Sequence, residues 1–120
     1  MLIVNLIWLL FSFDGRIGRE PFWVFTLVTM AIVLIPAFVV FGAGTESADN
    51  FVNISSLLLL WPALAIQAKR WHDRNKSAWW ILINFIPVIG VLWALVENGF
   101  LLGTEGKNNY GNNPLEDAQA

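Results

Sequence analysis

Cysteine is absent from this 120-residue chain. That excludes disulfides, thiolate nucleophiles and thiolate metal sites. Histidine occurs once, too few to build a metal set without cysteine. Charge is scarce as well: 13% of residues are Asp, Glu, Lys or Arg, against about 25% in soluble domains. The first residues lack the basic start and small-residue cleavage site of a signal peptide. No internal repeat is visible. What is present is apolar: 57% of the chain is hydrophobic, and seven residues are tryptophan. A water-soluble chain this short has too high a surface-to-volume ratio to hide that much apolar surface, so lipid must supply the contact. Tryptophan suits a membrane interface, where the ring is apolar and its N–H stays wet.

The expected fold is therefore all-α, an integral membrane bundle of three transmembrane helices with a short N-terminal interfacial helix. Three apolar runs, Phe22–Phe41, Phe51–Ala68 and Trp79–Val96, hold 20, 18 and 18 residues. At 1.5 Å per residue each covers a hydrocarbon core of roughly 30 Å. Residues 1–13 are apolar but too short to span, and Asn5, Trp8 and Ser12 fall near one face, which predicts a helix in the interface plane. Residues 14–21 form a cytoplasmic turn, with Asp14-Gly15 as its signal and Pro21 as a first helical residue. The spans are expected at 22–42, 51–74 (with a cytoplasmic extension) and 78–102. Asn75 is expected to end the second in a left-handed conformation and Ser77 to cap the third. Residues 42–50 read as a polar loop, and 103–120 as a polar Gly/Asn-rich tail. Pro87 and Gly90 offer an alternative at 87–90: a kink, or a hairpin that dips into the membrane and returns.

Basic residues set the orientation. Arg16 and Arg19 precede the first span; Lys69, Arg70, Arg74 and Lys76 lie between the second and third; the 42–50 loop has Glu46 and Asp49 and no basic residue. Lys and Arg accumulate on the cytoplasmic side. The N-terminus is therefore expected in the cytoplasm of a multi-pass membrane protein. Three spans place the tail outside, and the hairpin places it back in the cytoplasm.

The densest polar cluster runs from Lys69 to Ser77 and ends on Trp79-Trp80. With Arg16, Arg19, Arg70, His72, Asp73 and Arg74 at one level, it reads as a polar network or a contact for anionic lipid head groups; the competing reading is a topology signal with an aromatic belt. Asp73 is expected to pair with Arg16 or Arg19, or with Lys69 and Arg70, while Lys76 sits on the solvated side. His72 beside Asp73 is no catalytic pair, because sequence neighbours on a helix do not face each other. Glu97 is a candidate intramembrane ionisable group, or a wet residue at the outer interface. Pro36, Pro62 and Pro87 could break helices as transporters do, but prolines are common in membrane helices. No catalytic residue, metal ligand or cofactor site is expected. The expected partners are membrane lipids and other integral membrane proteins, with no nucleic acid. The expected function is a non-enzymatic accessory or interaction protein; the alternative is a small transport or ion-conducting element acting as an oligomer.

Three segments carry a resemblance. Phe13-Asp14-Gly15-Arg16-Ile17-Gly18-Arg19-Glu20-Pro21-Phe22-Trp23 resembles the opening signature of the family designated domain of unknown function 805, the YhaH-type bacterial inner membrane proteins. Arg70-Trp71-His72-Asp73 with Ser77-Ala78-Trp79-Trp80 resembles its Arg-Leu-His-Asp and Ser-x-Trp-Trp segments. Gly103 to Pro114 is similar to its Asn-rich Tyr-Gly tail. Pro21-Phe22 stands where a polar-Tyr pair is commoner, and Trp71 where leucine is. The resemblance implies location and architecture. It carries no activity or catalytic residues.

Overall fold

The computed structural model describes residues 2–119. Its described residues are helical with no strand; Asn108 and Gly111 form an isolated bridge in the tail. Helix α1 spans Leu2–Phe11, α2 Arg19–Val39, α3 Glu46–Leu58 and α4 Leu60–Asp73. A 3-10 segment follows at Ala78–Phe85, then α5 at Ile89–Leu95, a π-helical turn at Val96–Phe100 and α6 at Pro114–Gln119.

The packing is inverted relative to a water-soluble protein. Its largest fully buried side chains include Trp71, Arg70, Lys69 and Asn98, while Phe85, Trp79, Val39 and Leu58 stand more than three-quarters exposed. Helix α2 is, among the described residues, the one helix long and apolar enough to cross a membrane, with a mean hydropathy of 2.4 and only 17% of that window buried. A soluble core helix would be mostly covered; this one offers its side chains to the surroundings. Thr26 and Thr29 donate their hydroxyls to the carbonyls of Phe22 and Phe25, which satisfies both within the helix as lipid demands.

Helices α3 and α4 form a bent pair, turned by 51° at Leu59. Pro62 explains the bend: it has no N–H to give the Leu58 carbonyl, and its ring would strike that carbonyl in a straight helix. The 42–50 loop is shorter than expected, because α3 already starts at Glu46. Thr45 is its N-cap, accepting from the Ala48 N–H at 3.1 Å, and Glu46 and Asp49 sit in the first turn, where the helix dipole favours acids. Pro21 lies at the third rather than the first helical position, still within the turn whose N–H groups lack helical partners. Asn75 adopts φ 59° at the end of α4, whereas Ser77 makes no side-chain cap.

The third apolar run departs from a single helix. The 3-10 segment stops at Phe85, and the chain turns through Ile86–Val88. Val88 has φ 61° and ψ −67°, and the Ile89 N–H reaches the Pro87 carbonyl at 2.7 Å, a strained γ-turn. Gly90 lets the second arm lie against the first: a Cβ there would overlap the Ile83 carbonyl oxygen. The run leaves the polar end at Lys76 and comes back to it at Glu97, where the two side chains meet at 2.8 Å. One straight helix at 78–102 is therefore corrected in favour of the hairpin alternative at 87–90: the carbonyls of Thr104, Gly106 and Gly111 lie against Arg16 at the polar end. A proline, a γ-turn and a bare glycine within four residues make a hairpin of what composition alone reads as a span.

Candidate functional site

Asp73 closes α4 and is the centre of the polar end. Its Oδ1 accepts from Arg16 Nε at 2.9 Å and its Oδ2 from Arg70 Nη1 at 2.5 Å. All three side chains are at most 4% exposed. Both arginines spend five hydrogen bonds each, the full donor set of a guanidinium. Arg16 also donates to the carbonyls of Asp73, Thr104, Gly106 and Gly111. Arg70 donates to those of Ile17, Glu97, Asn98 and Leu101, which satisfies the open carbonyls where the π-helical turn ends. One carboxylate and two forks thus tie together the Arg16 turn, α4, the end of the hairpin and the tail.

Around this centre, Glu97 accepts from Arg74 Nε at 2.9 Å and Lys76 Nζ at 2.8 Å. Glu97 is held by two cations, because the hairpin brings it back to the basic loop. One expectation is corrected here. Lys76 does not face solvent alone: besides Glu97 it lies 4.8 Å over the Trp80 ring. Lys69 does not pair with Asp73; it donates to the carbonyls of Trp8, Leu9 and Ser12 and caps the end of α1 with a positive charge, where the dipole favours one. Arg19 lies at the edge, donating to the Phe100 carbonyl at 3.1 Å. Trp71 is fully buried and stacks on Trp80 at 5.7 Å, Trp23 donates to the Gly99 carbonyl, and Trp79 is exposed. The tryptophans are split between core and surface rather than set in one belt.

His72 stacks on Tyr110 of the tail, ring centroids 3.9 Å apart and 3° from parallel. Its Nδ1 donates to the Gly15 carbonyl at 2.8 Å.

Sequence reasoning had no signal for the tail carbonyls as arginine acceptors. The close glycines were equally hidden; a Cβ on Gly103 would overlap the Asp73 carboxylate. No three His, Cys, Asp or Glu side chains are grouped to hold a metal among the described residues. Among the described residues, two buried polar atoms, Trp71 Nε1 and Asn98 Oδ1, lack partners. The Asn98 side chain lines a cavity of about 150 Å³ with Gln67 and Asn84.

Comparison with known proteins gives a consistent neighbourhood. A family profile described as protein of unknown function (DUF805) matches residues 10–112. The chain is 34% identical over 106 residues to the inner membrane protein YhaH of Escherichia coli (strain K12), covering 86% of this chain and 87% of that one. It is 36% identical over 105 residues to the inner membrane protein YhaI, covering 86% of each, and 32% identical over 131 residues to the uncharacterized protein YiiR, covering 85% of each. No solved structure matches the chain.

Proposed function

The chain belongs to the DUF805 family, and on that footing we propose that it is a non-enzymatic accessory protein of a bacterial inner membrane that packs on partner helices and lipids. The observation that carries this reading is the closure of the polar end: Arg16, Arg70 and Asp73 spend their hydrogen-bonding capacity on one another and on backbone carbonyls. A site built for turnover keeps an open nucleophile, base or anion hole. On the hairpin, what is left open is apolar: Trp79 and Phe85 are held out, large rings of the kind that anchor contacts between proteins.

In the topology that goes with this reading, α2 and the α3–α4 pair cross and the 78–100 hairpin dips in and returns. All seven Lys and Arg residues then fall on one side, opposite the Glu46/Asp49 loop, which makes that side cytoplasmic under the positive-inside rule.

The transport alternative has one observation in its favour, the amide cavity of Gln67, Asn84 and Asn98 with its unpartnered Asn98 oxygen. Glu97 speaks against it, being held by two cations instead of standing ready to relay. Flux through reconstituted vesicles separates the two. The accessory reading expects no gradient-driven flux of protons or monovalent cations, and expects neighbouring integral membrane proteins to crosslink to wild type but not to a Trp79→Ala/Phe85→Ala variant. A sustained flux abolished by Glu97→Gln would overturn it.

A further inference from the structure

We propose that the chain holds one diacyl phospholipid in a slot between α1 and α2, one acyl chain against α2 and the head group beside the Gly15–Gly18 turn. Two cavities make up the slot. The deeper, about 330 Å³, is walled by Leu6 and Leu10 of α1 and Val24, Val28 and Ile32 of α2, and is closed below by the α3–α4 bend. Its only polar lining residue, Thr29, has its hydroxyl bound to the Phe25 carbonyl. The shallower, about 540 Å³, is bordered by Asn5, Trp8, Arg16, Tyr110 and Asn112. Leu9 and Pro21 line both, so the two adjoin, the first with polar side chains at its border and the second lined almost wholly by apolar ones.

The dimensions fit one leaflet. Pro21 to Ile32 is eleven steps along α2, about 16 Å at 1.5 Å per residue. Half of a hydrocarbon core of roughly 30 Å is about 15 Å. The slot starts at the polar end and stops one leaflet deep, where Pro62 bends α4 across its floor. A second protein helix needs a width of about 10 Å; an acyl chain does not. The head group meets neutral donors, because the Arg16 fork is already full. Charge does not select an anionic head either. Glu46 and Asp49 lie at the far end, while Asp14, Glu20, Asp73, Glu97, Glu105 and Glu116 share this end with the basic residues. A zwitterionic phospholipid is therefore accepted as well as an anionic one.

The inference rests on the membrane placement of the chain and not on the accessory role; a positive flux experiment would remove that role and leave the slot intact. Native mass spectrometry of the delipidated full-length protein, titrated with a phosphatidylethanolamine and separately with a phosphatidylglycerol, tests it. Wild type is expected to show a first lipid adduct that saturates at one per chain before others appear, with both lipids. Val28→Trp fills the slot from α2 and Leu10→Trp from α1; each is expected to weaken that first adduct at least ten-fold. Val39→Trp, outside the slot, is expected to leave it unchanged. A wild-type ladder without a saturating first adduct overturns the proposal. So does an undiminished first adduct in either slot-filling variant.

Discussion

Asp73→Ala is expected to be the most damaging single truncation of an ionic group in this chain. It would leave Arg16 and Arg70 facing each other without the carboxylate between them, both at most 1% exposed in their side chains. Removing one partner of a buried ion pair typically costs about 3–5 kcal/mol, because the remaining charge stays buried and uncompensated. Lys76→Ala removes a partner that is 27% exposed and leaves Glu97 still held by Arg74, a setting closer to the 0–1 kcal/mol of surface pairs. Thermal unfolding in mild detergent should therefore show a several-fold larger drop in Tm for Asp73→Ala than for Lys76→Ala. Asp73→Asn should fall near Asp73→Ala, since the amide restores a hydrogen bond but no charge. Removing Arg16 together with Asp73 should recover part of the loss. Equal drops for Asp73→Ala and Lys76→Ala would mean that the cluster is no more than a topology signal.

Gly90→Ala is the second large effect, and its sign distinguishes two accounts. Helix propensity alone makes alanine better than glycine inside α5 by about 1 kcal/mol. The hairpin makes it worse: the new methyl would overlap the Ile83 carbonyl oxygen and stand 2.9 Å from the Ile86 Cβ. Both arms would have to part, so a cost at the upper end of the usual 1–3 kcal/mol for overpacking is expected. Val88→Gly should act in the opposite direction on strain, since φ 61° penalises a β-branched residue and not glycine. Limited proteolysis at residues 84–92 in detergent reads both: faster cleavage in Gly90→Ala, wild-type or slower in Val88→Gly after allowance for the freer glycine backbone. A Gly90→Ala protein more stable than wild type would return the run to a continuous helix.

These two positions also mark where sequence reasoning succeeds and where it stops. The membrane character was legible because lipid imposes a composition that no soluble fold of this length tolerates. The cluster was legible as a set of residue types: Arg16, Arg70, His72 and Asp73 are far too polar for their surroundings unless they meet one another. Their partners were not legible, since eight of the ten bonds made by Arg16 and Arg70 go to backbone carbonyls, and every residue has one. The course of the third run depends on three local facts at Pro87, Val88 and Gly90. Pro87 and Gly90 marked the place but left a kink and a hairpin open, since each is tolerated in an ordinary membrane helix on its own; the positive φ of Val88 left no mark in the sequence. Lys69 was misassigned for a related reason. On a helix it is well placed to pair with Asp73, but α1 ends beside it and offers three open carbonyls.

The return of the chain at Glu97 decides all of this, because it brings the tail to the arginines and gathers every basic residue at one end. The lack of cysteine makes the direct test simple. Single cysteines at Glu46 and at Lys107 can be probed with a membrane-impermeant maleimide, on intact spheroplasts and after permeabilisation. Lys107 carries the measurement, since it lies between Gly106, whose carbonyl binds Arg16, and Asn108, whose amide binds the His72 carbonyl. Labelling of Glu46→Cys in intact spheroplasts, with Lys107→Cys labelled only after permeabilisation, is the predicted result. Labelling of Lys107→Cys from outside intact spheroplasts would contradict it and restore three through-going spans.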